Sequence, residues 1–277
     1  MSYYNCDLRD IQIESLKILL DIKEVFEKNN LTYWIESGTL LGAVRHNGFI
    51  PWDDDIDIAM PVKDYKRFCK IAQKQLKEGY FLQNYKTERC FDLQFTKIRK
   101  DNTTAMPIER KRLPIHQGLG IDIFAVIGLR SGFQRKIQQK LVNINAELVR
   151  ANSNPYLNIK MSLRNRIVGA IPRFIRIMII DLNNLYIFKN PKKSQNLALF
   201  CGSLYPWGKR GDCQETVFLE FEGYQLPAPS GYDNILKTMY GDYMMPPPLD
   251  KRMGHELTLG EMIYDIKNDY RFYTRET

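Results

Sequence analysis

The stretch Pro51-Trp52-Asp53-Asp54-Asp55-Ile56-Asp57-Ile58-Ala59-Met60 constrains this chain more than any other. Asp55 and Asp57 alternate with Ile56 and Ile58, and on an extended strand successive side chains point to opposite faces. The isoleucines therefore enter a core while the two carboxylates project together on the other side. Carboxylates held a few Å apart repel and raise each other's pKa unless a cation sits between them. Hard divalent ions prefer oxygen ligands, so Mg2+ or Mn2+ is the expected ion. Short acidic clusters are commonly solvated loops. Here Trp52 precedes the acids and an apolar run completes them, which sets them at the mouth of a buried strand. The run does not fit an EF-hand: counting from Asp53, Ile58 and Asp64 stand where that loop needs Gly and Glu.

Apolar positions from Leu8 to Phe26 fit an amphipathic helix, ended by Asn29-Asn30. Leu31 to Glu36 reads as a first strand, and Ser37 as the cap of a short helix with Gly38 permitting close backbone approach. Such a helix N-terminus offers free N–H groups to phosphate oxygens. Asp64 to Lys77 reads as a helix, and Tyr80–Tyr85 and Phe91–Arg99 as strands. Lys97 and Arg99 share a face of the second strand and are candidates to hold phosphate, or else solvated strand residues. Residues 101–117 form a polar loop long enough for a substrate flap. In Gly120–Ile127 a lone Asp122 interrupts an apolar strand. Buried without compensation it would be costly, so it either faces a cation as a third carboxylate or caps a turn.

Beyond Val126 the composition changes. Ser131–Ala151 reads as a helix, and Ser162–Phe188 as a second helical region, kinked at Pro172, that mixes aliphatic side chains with arginines. Its uncharged runs are too short to span a bilayer. Two readings of it stand open, a basic helix on a membrane surface and a core helix with snorkelling arginines. The last third is loop-rich, with Glu215–Phe221 as a strand and Gly231–Met239 as a short helix. The economical division is a catalytic core over 1–130 and a helical, loop-rich extension over 131–277, packed as one unit.

Forty Lys and Arg against 32 Asp and Glu give a formal charge of +8, which favours anionic partners. The basic residues are spread along the chain, so they do not argue for nucleic acid. Five cysteines without zinc-like spacing and three scattered histidines argue against a structural zinc site. The amino terminus lacks the regions of a signal peptide, and free thiols point to the cytoplasm.

Gly38-Thr39-Leu40-Leu41-Gly42-Ala43-Val44-Arg45, with Ile50-Pro51-Trp52-Asp53-Asp54-Asp55-Ile56-Asp57-Ile58, resembles the LicD family. These are bacterial phosphocholine transferases that decorate surface glycans such as lipopolysaccharide, capsule and teichoic acid, related to the animal fukutin-related ribitol-phosphate transferases. The resemblance continues in Phe95–Arg99, Gly120–Phe124, Tyr240–Tyr243, Pro247-Pro248 and His255, and is weakest over 130–200. It implies an α+β fold of the polymerase-β nucleotidyltransferase type, a mixed sheet with helices, followed by the helical and loop-rich carboxyl-terminal extension.

The resemblance implies transfer of a substituted phosphate from a CDP-activated donor such as CDP-choline to a glycan hydroxyl, releasing CMP. Asp55, Asp57 and Asp122 take the catalytic and Mg2+-binding positions. Ser37, Gly38, Thr39, Arg45, Lys97, Arg99 and His255 take substrate-binding ones. Choline would need an aromatic cage, for which Trp207, Tyr205, Tyr240 and Tyr243 are candidates. The acceptor could be lipid-linked, which would bring the enzyme to the inner face of the membrane. Rival readings are a true nucleotidyltransferase that releases pyrophosphate, and a non-catalytic, divalent-ion-dependent glycan or nucleotide binder.

Overall fold

The computed structural model describes residues 3–4, 6–157, 162–189, 194–252, 254 and 260–274. A two-residue strand β1 (Tyr3–Tyr4) precedes α1 (Leu8–Lys28), whose Ile11, Ile18, Leu19, Ile22 and Phe26 are buried at helical spacing. Next come β2 (Trp34–Ile35), α2 (Ser37–His46), β3 (Asp57–Pro61) and α3 (Val62–Gln75). The strands β4 (Tyr80–Gln83), β5 (Thr96–Lys100), β6 (Thr104–Pro107) and β7 (Gly120–Gly128) follow. Three helices then run in succession, α4 (Gly132–Arg150), α5 (Leu163–Ala170) and α6 (Arg173–Ile187). The remainder comprises β8 (Asn196–Phe200), β9 (Leu204–Lys209), β10 (Thr216–Phe221), β11 (Tyr224–Pro229), α7 (Tyr232–Tyr240), β12 (Met262–Asp265) and α8 (Tyr270–Thr274).

The central sheet has the order β2-β3-β7-β5-β4, with β8 also paired to β7 and carrying β9. It is mixed: β3 and β7 run parallel, and the other pairs are antiparallel. This is the α+β arrangement expected from the sequence. From Ile121 onward β7 is buried throughout, which explains its near-continuous apolar run. Helices α1 and α3 pack on it.

Three expectations need correction. The 101–117 segment is not a free flap. Its β6 pairs with β12, which in turn pairs with β1, so distant chain segments pin it. The 162–188 region is two helices, α5 and α6, with Pro172 as N-cap of the second. A proline that cannot donate an N–H starts a helix more readily than it bends one. The Tyr205–Gly208 segment is part of β9, where Pro206 hides the strand signal. Leu197 pairs with Gly208 and Ala198 with Pro206, so Trp207 is the extra residue of a β-bulge. Its side chain is fully buried.

Candidate functional site

Asp57 opens β3 and stands directly opposite Asp122 on parallel β7; Asp122 in turn stands opposite Lys97 on antiparallel β5. Residues opposite one another share a sheet face, and neighbouring strands lie about 4.8 Å apart. Asp57, Asp122 and Lys97 therefore form one row across three strands. The backbone fixes this row from both sides. Glu36 N–H donates to Asp57 O (2.9 Å), and Asp122 N–H donates to Ile56 O (3.0 Å).

The predicted alternation holds through the acidic run. Ile56 and Ile58 are fully buried, while Asp55 and Asp57 are half-buried. Regular strand structure begins only at Asp57, and residues 53–56 lead into it without an element of their own. Burial, then the charges of Asp55, Asp122 and Asp53, push the Asp57 carboxyl well above the usual carboxylate range. Lys97 Nζ lies 2.5 Å from Asp122 Oδ1, and burial lowers the pKa of this lysine. Among the described residues, the acids whose oxygens all fall within 4.8 Å of one another are Asp53, Asp54 and Asp55. Asp57 and Asp122 are not part of that group. Asp55 belongs to that group and its charge also acts on Asp57, so the oxygen donors suited to a divalent cation continue from the acidic run onto the sheet.

The Ser37-Gly38-Thr39 turn is built differently from the expectation. Glu36, not Ser37, is the N-cap of α2, and Ser37 has φ +48°. Thr39 is buried and its Oγ1 accepts the Asp57 N–H at 2.9 Å, so this hydroxyl fixes the start of β3. A Cβ on Gly38 would lie 2.4 Å from Asp53 Oδ2. The glycine therefore lets the first acid close on the N-terminus of α2, where partial positive charge favours it.

Arg99 reaches Gln83 Oε1 (2.7 Å) and Gly118 O (2.8 Å), two residues along the face that carries Lys97. Arg45 belongs to the last turn of α2, roughly 12 Å along the axis from Ser37, and its Nη1 donates to Tyr243 O at 2.9 Å. His255 lies outside the described residues.

A cavity of about 320 Å³ opens onto Asp54, Asp55, Lys97, Arg99 and Asp122. Phe91, Phe95, Arg110 and Tyr264 form other parts of its wall, and the Tyr264 hydroxyl donates to Asp54. The four aromatic residues expected to cage a head group are not in this lining. Trp207 is instead a core residue, whose indole N–H donates to Glu36 Oε2 at 2.6 Å. Burial raises the Glu36 carboxyl to about 7. Sequence reading missed Glu36, Arg110 and Tyr264. Only Glu36, directly before the turn, lay near a recognised motif.

Residues 30–123 match the family model described as LicD/FKTN/FKRP, nucleotidyltransferase domain. That span holds the turn, the acidic run, β5 and Asp122. The chain is 27% identical over 268 residues to the lipopolysaccharide cholinephosphotransferase LicD of Haemophilus influenzae, covering 90% of this chain and 96% of that protein. It is 43% identical over 90 residues to an uncharacterised protein of Rickettsia typhi, 31% of this chain and 29% of that one. Over 40 residues it is 48% identical to the human ribitol 5-phosphate transferase FKRP, 14% of this chain and 8% of that protein.

Proposed function

Because the chain is a transferase that carries the nucleotidyltransferase domain of the LicD family, we propose that it moves a substituted phosphate, such as phosphocholine, from a CDP-activated donor to a glycan hydroxyl. The observation that carries this reading is the Asp57–Asp122–Lys97 row, set beside the Asp53–Asp55 turn. Two acids and a lysine in one row, with Asp55 preceding them, suit a diphosphate bound through a divalent cation, and Asp122 can also serve as base for the incoming hydroxyl.

Asp55, Asp57 and Asp122 would hold Mg2+ or Mn2+, which when bound neutralises charge on the diphosphate. Burial first, and then the charges of Asp55, Asp122 and Asp53, raise the Asp57 carboxyl, and a cation would relieve the part due to those charges. Lys97 and Arg99 attract the phosphate oxygens and stabilise charge that builds on the departing CMP. Asp122 accepts the proton of the acceptor hydroxyl. The new bond joins that oxygen to the phosphorus distal to the nucleoside, and the bond to the CMP oxygen breaks. Phe91, Phe95 and Tyr264 offer aromatic surface to the head group. Positioning and electrostatics supply most of the rate, as in other phosphoryl transfers. Free thiols at all five cysteines fit a reducing compartment and support a cytoplasmic location as part of this proposal.

Incubation with Mg2+, CDP-choline and a glycan acceptor tests the reading. The expected products are CMP and a phosphocholine-bearing glycan, both lost in Asp122→Asn. Pyrophosphate released from CTP in their place would make the protein an ordinary nucleotidyltransferase. Mg2+-dependent ligand binding without turnover of any CDP-linked donor would make it a binding protein.

A further inference from the structure

Helix α6 buries Ile180 and Ile187 together with polar groups on its inward side. Arg176 is buried and donates to Leu148 O (2.8 Å) and Ile171 O (3.1 Å). Arg173 donates to Tyr85 O at 2.8 Å, and Asn183 and Asn184 exchange hydrogen bonds with Asn145 of α4. The side turned outward is apolar. Phe174, Met178, Leu182 and Leu185 recur at helical spacing and are 55 to 73% exposed. On the preceding α5, Leu163 and Ile167 are also exposed, 72 and 60%. A surface helix normally turns polar side chains outward, and a contiguous exposed apolar stripe marks a surface that something covers.

The surroundings of the stripe indicate what covers it. A cavity of about 350 Å³ shares Asp181 and Leu185 with the stripe's edge and is lined by Lys66, Lys70 and Lys86. Lys86 Nζ is 2.7 Å from Asp181 Oδ1, and Lys66 Nζ stands 5.1 Å over the Phe188 ring. Arg164 and Arg166 lie beside Leu163 and Ile167 on α5. Apolar side chains bordered by cations match an anionic bilayer surface, where the former enter the acyl boundary and the latter meet phosphate head groups. A second copy is a poorer match. A two-fold contact sets each patch against itself, so the bordering cations would meet like charges. No helix among the described residues is long and apolar enough to cross a membrane, so the contact lies in the interfacial plane.

We propose that the α5–α6 face docks on an anionic lipid surface, with Phe174, Met178, Leu182 and Leu185 inserted and the Lys66–Lys70–Lys86 pocket receiving a lipid phosphate. This face is distinct from the cavity at Asp122, so the proposal stands or falls independently of the transfer reaction.

Vesicle co-sedimentation of the full chain tests it, with phosphatidylcholine vesicles made with and without phosphatidylglycerol. The protein sediments with the anionic vesicles and stays in solution with the neutral ones. Met178→Gln combined with Leu182→Gln weakens that binding at least about tenfold and leaves the circular-dichroism melt unchanged, because both side chains are exposed. Lys66→Glu combined with Lys70→Glu weakens binding to the anionic vesicles by a comparable factor and supplies a second variant that does not touch the stripe. Failure of the wild type to bind anionic vesicles overturns the proposal, as does undiminished binding by both variants. A dimer in analytical ultracentrifugation that the Met178/Leu182 variant dissociates, without vesicle binding, overturns it in favour of a second copy.

Discussion

Lys97 and Asp122 stand opposite each other on antiparallel β5 and β7, and their side chains close to 2.5 Å. Both are largely buried, and Asp57 flanks the pair on the next strand. The lysine thus occupies the carboxylate that a divalent cation would share. Arrival of a metal and an anionic donor would let Lys97 turn from Asp122 to phosphate without leaving either member of the pair uncompensated.

This exchange predicts a stability effect of its own. Removing one partner of a buried ion pair strands the other, at a loss of roughly 3–5 kcal/mol. Lys97→Met should therefore melt well below the wild type in EDTA. Millimolar Mg2+ should raise the variant's Tm more than the wild type's, because the cation takes over the lysine's role at Asp122. Differential scanning fluorimetry with and without Mg2+ reads the difference. Equal Mg2+ shifts in the two proteins would count against metal binding at Asp122.

Asp57→Asn should behave in the opposite way. Burial and the charges of Asp55, Asp122 and Asp53 hold the Asp57 carboxyl well above its usual range, so its ionised form is repelled in the metal-free protein. The amide removes that repulsion and should raise Tm by a few degrees in EDTA. Transfer activity should fall by at least about 10²-fold, and the Mg2+-induced rise in Tm should vanish. A variant both less stable and still responsive to Mg2+ would contradict the assignment.

The alternation of Asp55 and Asp57 with isoleucines, and the lone Asp122 in an apolar strand, could be read from the sequence because strand periodicity is local. The Lys97–Arg99 face was legible for the same reason. The Glu36–Trp207 bond spans 171 residues and depends on a β-bulge beside Pro206, for which no local pattern exists. The pairing of β6 with β12 likewise joins two four-residue segments, and Pro107 further conceals the strand character of β6. Helix α6 was ambiguous because its arginines and aliphatic side chains alternate on a helical period. Which side faces inward depends on acceptors at Leu148, Ile171 and Tyr85 that periodicity does not locate.

Gly38→Ala tests the approach of Asp53 to the turn. The added Cβ would lie 2.4 Å from Asp53 Oδ2, so the carboxylate must swing away from the N-terminus of α2. Alanine is the better helix former, which offsets part of the disturbance to the fold. The expected result is a change in Tm of no more than a few degrees with transfer reduced about 10- to 100-fold, since small displacements of positioned groups are costly in rate. Steady-state kinetics alongside a thermal melt separates the two effects. Full activity with an unchanged KM would show that Asp53 need not sit against the turn.

Glu36 should leave its mark on the pH dependence of stability. Its carboxyl is fully buried and raised from 4.5 to about 7, chiefly by burial. Below about pH 4.5 the group is protonated in both the folded and the unfolded chain, so the folded state is not penalised. Between 4.5 and about 7 the unfolded chain ionises while the folded chain keeps its proton, and stability falls as pH rises through this window. A displacement of this size corresponds to roughly 3 kcal/mol across the window. Glu36→Gln cannot ionise and keeps an acceptor oxygen for the Trp207 indole, so its stability should change less between pH 5 and pH 7, taken as rough bounds within that window. Urea melts at those two pH values measure the difference. Wild-type and variant curves that run parallel would mean that Glu36 is already ionised in the folded protein and that its neighbours compensate for its burial.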